Sequence, residues 1–170
     1  PKAKGYTSYE EAESEFSEYN MPVMIKPVDS SGSRGISKID SIECLEEKIE
    51  YALSFSKAKR FVIEEYIEAK GYQVGGDGFS VNGELVFRCF SNNHLDSTHL
   101  NPFLPLGGSW PNVFPDHIQN KIHDEIQRLL NLLNMKTGPS DFDIRVDKND
   151  NVFFIVIPPT KTKLWYNHMY

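Results

Sequence analysis

The stretch from Val23 to Ile39 reads V-M-I-K-P-V-D-S-S-G-S-R-G-I-S-K-I. An apolar run, Val23-Met24-Ile25, ends in Lys26 and Pro27. Small residues follow (Ser30, Ser31, Gly32, Ser33), then Arg34 and Gly35, and Ile36 and Ile39 resume an apolar alternation. The pattern predicts strand, flexible loop, strand. Small residues let successive backbone N–H groups turn inward and form an anion-binding concavity. Gly32 and Gly35 can take positive φ without steric cost. Lys26 and Arg34 add two cations with several donors. The physical target of such a device is a polyphosphate. Ser and Gly are also ordinary turn residues, so a solvated hairpin loop is the other reading, and the loop alone leaves both open. The spacing is not that of a G-x-x-x-x-G-K-[ST] loop, and no G-x-G-x-x-G precedes a helix.

The rest of the chain sets bounds around this loop. Its 170 residues suit one domain or two small lobes. Hydrophobic content of 39% with 25% charged residues is ordinary for a globular protein. No apolar run approaches the roughly 20 residues of a membrane span. A net charge of -6 makes nucleic acid and anionic membrane poor partners. Cys44 and Cys89 each sit singly in an apolar context and are expected to be small core residues, not a disulfide or metal pair. Together these features predict a cytoplasmic protein. The chain opens at Pro1 without Met and is expected to be part of a longer one.

Taken in order, Thr7-Ser8-Tyr9-Glu10 is a capping-box pattern that opens a short helix, with Ala12, Phe16 and Tyr19 facing inward. Asp40, with Glu43 three residues on, predicts a second helix whose stripe is Ile42, Leu45, Ile49, Ala52 and Leu53. Phe61 to Ile67 reads as a strand. Its carboxylates Glu64 and Glu65 must point to opposite faces, so one can face a cleft while the other is solvated. Tyr72–Val81 and Glu84–Phe90 are strand-like and joined by Asn82-Gly83, a strong hairpin signal. Residues 91–115, with four prolines, read as a long irregular segment. Asp77, in G-G-D-G, reads as a turn aspartate. A helix over 116–134 carries the stripe Ile118, Ile122, Ile126, Leu129, Leu130 and Leu133. Two strands close the pattern, near Phe142–Val146 and Val152–Ile157. The fold class is therefore α+β: a small α/β lobe over residues 1–65, and a lobe over 66–170 with a mostly antiparallel sheet backed by the 116–134 helix. A ligand is expected between the two, where domain interfaces commonly form clefts.

Ile25-Lys26-Pro27, the S-S-G-S-R-G-I loop, V-I-E-E-Y-I and a final D-I-R-V…F-F-I-x-I-x-P occur in that order. This ordered set resembles the ATP-grasp superfamily. It is most similar to the carbamoyl-phosphate-synthetase-like ligases, with biotin carboxylase and D-alanine–D-alanine ligase as more distant relatives. The resemblance runs from about Pro1 to Pro159. It implies an ATP-grasp lid lobe, a C-terminal lobe and a nucleotide site between them. It also implies an N-terminal domain of the parent chain outside this sequence.

The resemblance assigns roles by position. Lys26 resembles the lysine that contacts the α- and β-phosphates. Ser33, Arg34 and Gly35 lie in the phosphate-covering loop. Glu64, Glu65, Tyr66 and Ile67 resemble the hinge strand beside the adenine, where backbone groups of Glu65 and Ile67 would read its edge. Gln73 falls near the ribose-binding carboxylate, across a loop of different length. His94, in S-N-N-H, sits where relatives place polar groups near the triphosphate, and a solvated loop histidine is the alternative. Asp143 matches the first of two carboxylates that hold Mg²⁺ against the triphosphate. The second matches position 156, which is Val. The next ligand position, usually Asn, is Pro158, and the usual Arg is Thr160. Magnesium requires hard oxygen ligands, and valine offers none.

The resemblance implies a ligase in which ATP phosphorylates an unidentified carboxylate and an amine or ammonia displaces phosphate, with Arg34 and Asp143 as catalytic groups. Val156 implies weakened magnesium binding and impaired turnover. A non-catalytic nucleotide-binding module and a ligand-free packing lobe of a larger assembly are the rival readings. The tail K-T-K-L-W-Y-N-H-M-Y has no pattern that distinguishes divergence, truncation and frameshift.

Overall fold

The computed structural model describes residues 1–95, 98 and 101–156. Pro158, Thr160 and the C-terminal tail lie outside the described residues. The chain divides into two compact units. The first comprises residues 1–67 with the described part of 95–104, and the second comprises 68–94 with the described residues from Pro105 onward.

In the first unit, strands β1 (Ala3–Tyr6), β2 (Val23–Pro27), β3 (Ser37–Ile39) and β4 (Phe61–Glu65) form an antiparallel sheet in the order β1-β4-β2-β3. Alternation sends Tyr6, Val23, Ile25, Ile39, Phe61 and Ile63 to one face, where all are buried. Helices α1 (Tyr9–Glu15) and α2 (Leu45–Phe55) complete that core with Ala12, Leu45, Ile49 and Ala52, and Phe16 and Tyr19 join it from the 3₁₀ turn after α1. The Ser8 hydroxyl caps α1 by accepting from the Glu11 N–H at 3.3 Å, so the capping pair is Ser8 and Glu11. Strand β1 was not expected from the sequence: its four residues include Lys4 and Gly5, too short and polar for an alternation signal. Ahead of α2, Ile42–Cys44 form a 3₁₀ turn. That turn breaks the predicted stripe and leaves Ile42 half exposed.

In the second unit, β5 (Gln73–Val81), β6 (Glu84–Leu95), β7 (Pro105–Ser109), β8 (Gly138–Val146) and β9 (Val152–Val156) are ordered β7-β6-β5-β8-β9. Helix α3 (Asp116–Leu132) buries Ile118, Ile122, Ile126 and Leu130 in a core with Val74, Leu85, Phe90, Phe142, Ile144 and Val146. The helix ends before the predicted 134, and Leu133, just past its last turn, is exposed and not part of the stripe. Asn82 and Gly83 both take positive φ, 54° and 92°, as a two-residue hairpin turn requires. The Gln127 side chain ties α3 to this hairpin, donating to the Gly83 carbonyl at 2.7 Å and accepting from the Leu85 N–H at 2.8 Å.

Three further expectations are corrected here. The segment 91–115 is not wholly irregular: β6 runs on to Leu95, and β7 begins at Pro105 on the sheet edge, where a residue without N–H is tolerated. Asp77 lies in mid-strand, paired with Cys89 and Asp141, because the glycines around it stay extended. Cys44 and Cys89 are both free and exposed. One sits on the 3₁₀ turn, and the other points to the face of β6 opposite Phe90.

Candidate functional site

The first unit holds the loop between β2 and β3. Gly32, Ser33 and Gly35 take φ of 64°, 54° and 77°, so three of four consecutive residues lie in the left-handed region. Such a run curls the chain and turns its N–H groups toward one side. A Cβ on Gly35 would also come within 3.0 Å of the Phe55 Cβ and 3.1 Å of the Pro27 Cγ. Glycine is needed there for conformation and for room.

The base of this loop is clipped. The Asp29 carboxylate accepts from the Ser56 hydroxyl at 2.7 Å and the Ala58 N–H at 2.9 Å. These bonds hold its carboxyl below the usual range. The Val28 N–H donates to the Arg60 carbonyl at 3.2 Å. Nearer the tip, Arg34 Nε donates to the Ser31 carbonyl at 3.1 Å, and Ser33 Oγ donates to the Phe103 carbonyl at 3.0 Å. Asn101 Nδ2 reaches the Ser33 carbonyl at 3.2 Å. Arg34 itself is exposed.

Lys26 leaves β2 on the face opposite the core and forms an ion pair with Glu64 of β4. Their side chains are only 14% and 26% exposed, so the pair is partly shielded from water. Glu65 points the other way, as alternation requires, yet it is not merely solvated. Its carboxylate accepts from the N–H of Lys2 and from the N–H and side chain of Asn20, at 2.8–2.9 Å. Burial pushes the Glu65 carboxyl up, but those bonds outweigh it and leave it below the usual range. Its own N–H donates to the Lys2 carbonyl at 2.9 Å, and the Tyr66 N–H to the Pro22 carbonyl at 2.9 Å. Lys38 Nζ lies 4.6 Å from the Tyr66 ring centroid, a cation–π distance. Ile67 closes the unit's first segment.

In the second unit, β5, β6 and β8 turn one face to α3 and the other away from it. The face away from α3 carries Gln73, Asn93, Asp143 and Arg145. Gln73 Nε2 and Asn93 Nδ2 both donate to Asp143 Oδ1, each at 3.1 Å. Gln73, read from the sequence as a group near ribose, thus lies beside the proposed magnesium ligand. His94 Nε2 lies 3.0 Å from Ser109 Oγ, and its ring meets Tyr72 edge-on with centroids 5.0 Å apart. Asp141, two residues before Asp143, has its carboxyl pushed up by desolvation and by the like charges of Asp143 and Asp77.

Sequence reading missed the asparagines. Asn92 donates to the Ser109 and Pro111 carbonyls at 3.2 and 3.0 Å and accepts from the Val113 N–H at 2.9 Å. Asn112 Nδ2 donates to the Ser91 carbonyl at 2.9 Å. These bonds pin the chain after β7 to β6. The run S-N-N inside an otherwise apolar strand was the available signal, since buried amides in a strand must find partners.

Asp143 pairs with Val156 across β8 and β9, while Ile144 pairs with Phe154. One step on β8 therefore spans two on β9, a bulge. It sets the backbone of position 156 opposite Asp143 and that of Phe154 opposite Ile144. Phe154 packs on the core side, its ring 6.5 Å from that of Phe142. Among the described residues, no cluster of three or more His, Cys, Asp or Glu side chains could hold a metal unaided. One carboxylate completed by substrate phosphates is, however, a usual arrangement for magnesium, and Asp143 fits that minimal set.

A family profile described as ATP-grasp domain matches residues 19–165. No curated protein sequence matches the chain. Among solved structures, a biotin carboxylase from Campylobacter jejuni is 18% identical with a TM-score of 0.74, covering 92% of this chain and 36% of its own. The D-Ala:D-Ser ligase of Enterococcus faecalis is 19% identical with a TM-score of 0.71, over 92% of this chain and 46% of its own. A phosphoribosylglycinamide synthetase from Anaerococcus prevotii is 19% identical with a TM-score of 0.62, over 91% and 37%. The chain thus spans less than half the length of each of these structures. Among the described residues, no helix is long and apolar enough to cross a membrane. The match over most of its length shows that this chain belongs to the ATP-grasp family.

Proposed function

We propose that this chain is the ATP-binding part of a cytoplasmic, carbamoyl-phosphate-synthetase-like ligase that joins a carboxylate to an amine or ammonia. The observation that carries the reading is Lys26 at the end of β2, followed directly by the left-handed run at Gly32, Ser33 and Gly35. A cation and a curled row of N–H donors together suit a polyphosphate. The similarity to a biotin carboxylase solved with β-γ-ATP, and to a biotin carboxylase domain solved with MgADP, supports the same ligand.

On this reading the residues have separable tasks. ATP supplies the phosphoryl group that activates the carboxylate, and magnesium neutralises charge on the phosphates. Lys26 exchanges Glu64 for the α- and β-phosphates. The Ser33–Gly35 N–H groups and Arg34 cover the phosphate chain and stabilise charge as it moves between oxygens. Backbone groups from Glu64 to Ile67 meet the adenine, with the Glu65 and Tyr66 N–H groups already used within the unit. His94 lies toward the triphosphate. Asp143 would hold magnesium, which would supply charge neutralisation there.

The Asp143–Val156 register supports a second reading, a nucleotide-binding module without turnover. A family ligand position filled by a hydrocarbon weakens magnesium binding. Calorimetric titration with ATP and magnesium tests the first step. Trapping of an acyl phosphate with hydroxylamine, using a panel of amino and dicarboxylic acids, tests the second. ATP binding with no trapped product for any acid selects the non-catalytic module. No binding at all overturns both readings and leaves a packing lobe.

A further inference from the structure

Two amide side chains from two strands meet on Asp143, and each is held by a further polar group. Arg145 Nε donates to Gln73 Oε1 at 3.3 Å, and Gln73 Nε2 donates to Asp143 Oδ1 at 3.1 Å. Asn93 Nδ2 donates to the same Oδ1 at 3.1 Å, while Asn93 Oδ1 accepts from Ser91 Oγ at 3.1 Å. The order is chemically forced at one end. Arginine has donors only, so the Gln73 oxygen faces Arg145 and its NH₂ group is left for Asp143. Gln73, Ser91 and Arg145 are each more than nine-tenths buried.

The backbone makes room for this arrangement. Gln73 pairs with Asn93, and Gly75 pairs with both Ser91 and Asp143. A Cβ on Gly75 would lie 2.4 Å from Asn93 Oδ1 and 2.8 Å from Ser91 Oγ. Any larger residue would push Asn93 off Asp143. A strand glycine with close side-chain neighbours marks such an approach.

We propose that Gln73 and Asn93 are positioning residues: they fix the orientation of the Asp143 carboxylate and do not themselves meet the nucleotide. The inference rests on the reading of Asp143 as the magnesium ligand. Magnesium tolerates little departure from octahedral geometry, so a carboxylate free to swing about its last torsion is a poor ligand. Hydrogen bonds behind a ligand restrict that swing. Two amides on one oxygen, themselves held by Arg145 and Ser91, restrict it from two directions. The restraint matters more where Val stands at the neighbouring ligand position, because Asp143 then has no second carboxylate to share the ion.

The test is ATP titration by calorimetry, in magnesium and in EDTA, on the full chain and on Gln73→Met and Asn93→Ala. Thermal melts of each check folding, and either variant alone suffices. The expected result is that the gain in ATP affinity given by magnesium falls about tenfold, as loss of a charge-assisted hydrogen bond would give. Affinity in EDTA stays at the parental value. A variant that keeps the full magnesium gain, or loses affinity equally in both buffers, overturns the positioning role. A parent that binds ATP with no magnesium gain overturns the role of Asp143, and a parent that binds no ATP overturns the proposed function. These outcomes are distinct from one another.

Discussion

Lys26 on β2 and Glu64 on β4 form an ion pair on the face of their sheet that points away from the hydrophobic core. Both side chains are largely shielded, and the lysine stands directly before the loop that carries three left-handed residues. A shielded cation whose partner is one carboxylate can exchange that partner for phosphate without being desolvated anew. Removing it should therefore weaken ATP binding. Lys26→Ala is expected to lose about 1.5–3 kcal/mol of ATP binding, the range for hydrogen bonds to charged groups. Lys121→Ala, a change at an exposed position of α3, should lose almost none. Titration calorimetry on both variants decides it, and equal curves would remove Lys26 from the site.

The β2–β3 loop should exchange its amide hydrogens unevenly. Val28 N–H is bonded to the Arg60 carbonyl and should stay protected with or without nucleotide. The amides of Gly32 to Gly35, in a run of small residues, should exchange fast in the free protein and slow when ATP is added. Hydrogen exchange read by mass spectrometry checks this. Protection of Gly32–Gly35 in the absence of ATP would contradict it.

Gly35→Ala should destabilise the first unit. The residue sits at φ 77°, and a new methyl would press on Phe55 and Pro27. Left-handed backbone alone costs a non-glycine residue about 1–2 kcal/mol, and the crowding adds to it. Urea unfolding should show the loss. Gly32→Ala, with open space around it, should show only the backbone part.

Acid should loosen the base of the same loop. The hydrogen bond from Ser56, and then that from Ala58, lower the Asp29 pKa from its ordinary 3.8. A lowered folded-state pKa means that the stabilisation is fully present above the unfolded value. It is lost as pH falls through the folded value, so the window lies below about pH 4. Asp29→Asn should flatten the melting temperature against pH in that window, leaving any slope at higher pH unchanged. An unchanged acid slope would show that the clip carries no linkage.

Val156→Glu should raise the magnesium dependence of ATP binding. The backbone register already sets position 156 opposite Asp143. A carboxylate there adds a hard oxygen donor, and without a cation the two like charges repel. The ratio of affinities in magnesium and EDTA should exceed that of the parent. Turnover should not rise with it, since Pro158 and Thr160 remain. If the ratio does not change, the alignment of the C-terminal motif to the magnesium ligands is wrong.

Local sequence determined what local forces decide. Asn82-Gly83 set a hairpin because both residues accept positive φ. The spacing of Ile118, Ile122, Ile126 and Leu130 set one helical face, and alternation alone divided Glu64 from Glu65. The ordered motifs around Lys26, Glu64 and Asp143 were legible through their resemblance to a family, because each is a short run and the order of the runs is kept. Tertiary structure decided the rest. Strand β1 and the edge strand β7 exist because a neighbouring ladder satisfies their backbone groups, which their own residues do not announce. The bulge beside Ile144 put Phe154 in the core and Val156 opposite Asp143, against simple alternation. Gln73 and Asn93 lie 70 and 50 residues from Asp143 in sequence and meet it only through strand register. Period is a property of the chain, whereas register is fixed by which side chains pack and pair across strands; the amide pair behind Asp143 belongs to the second kind.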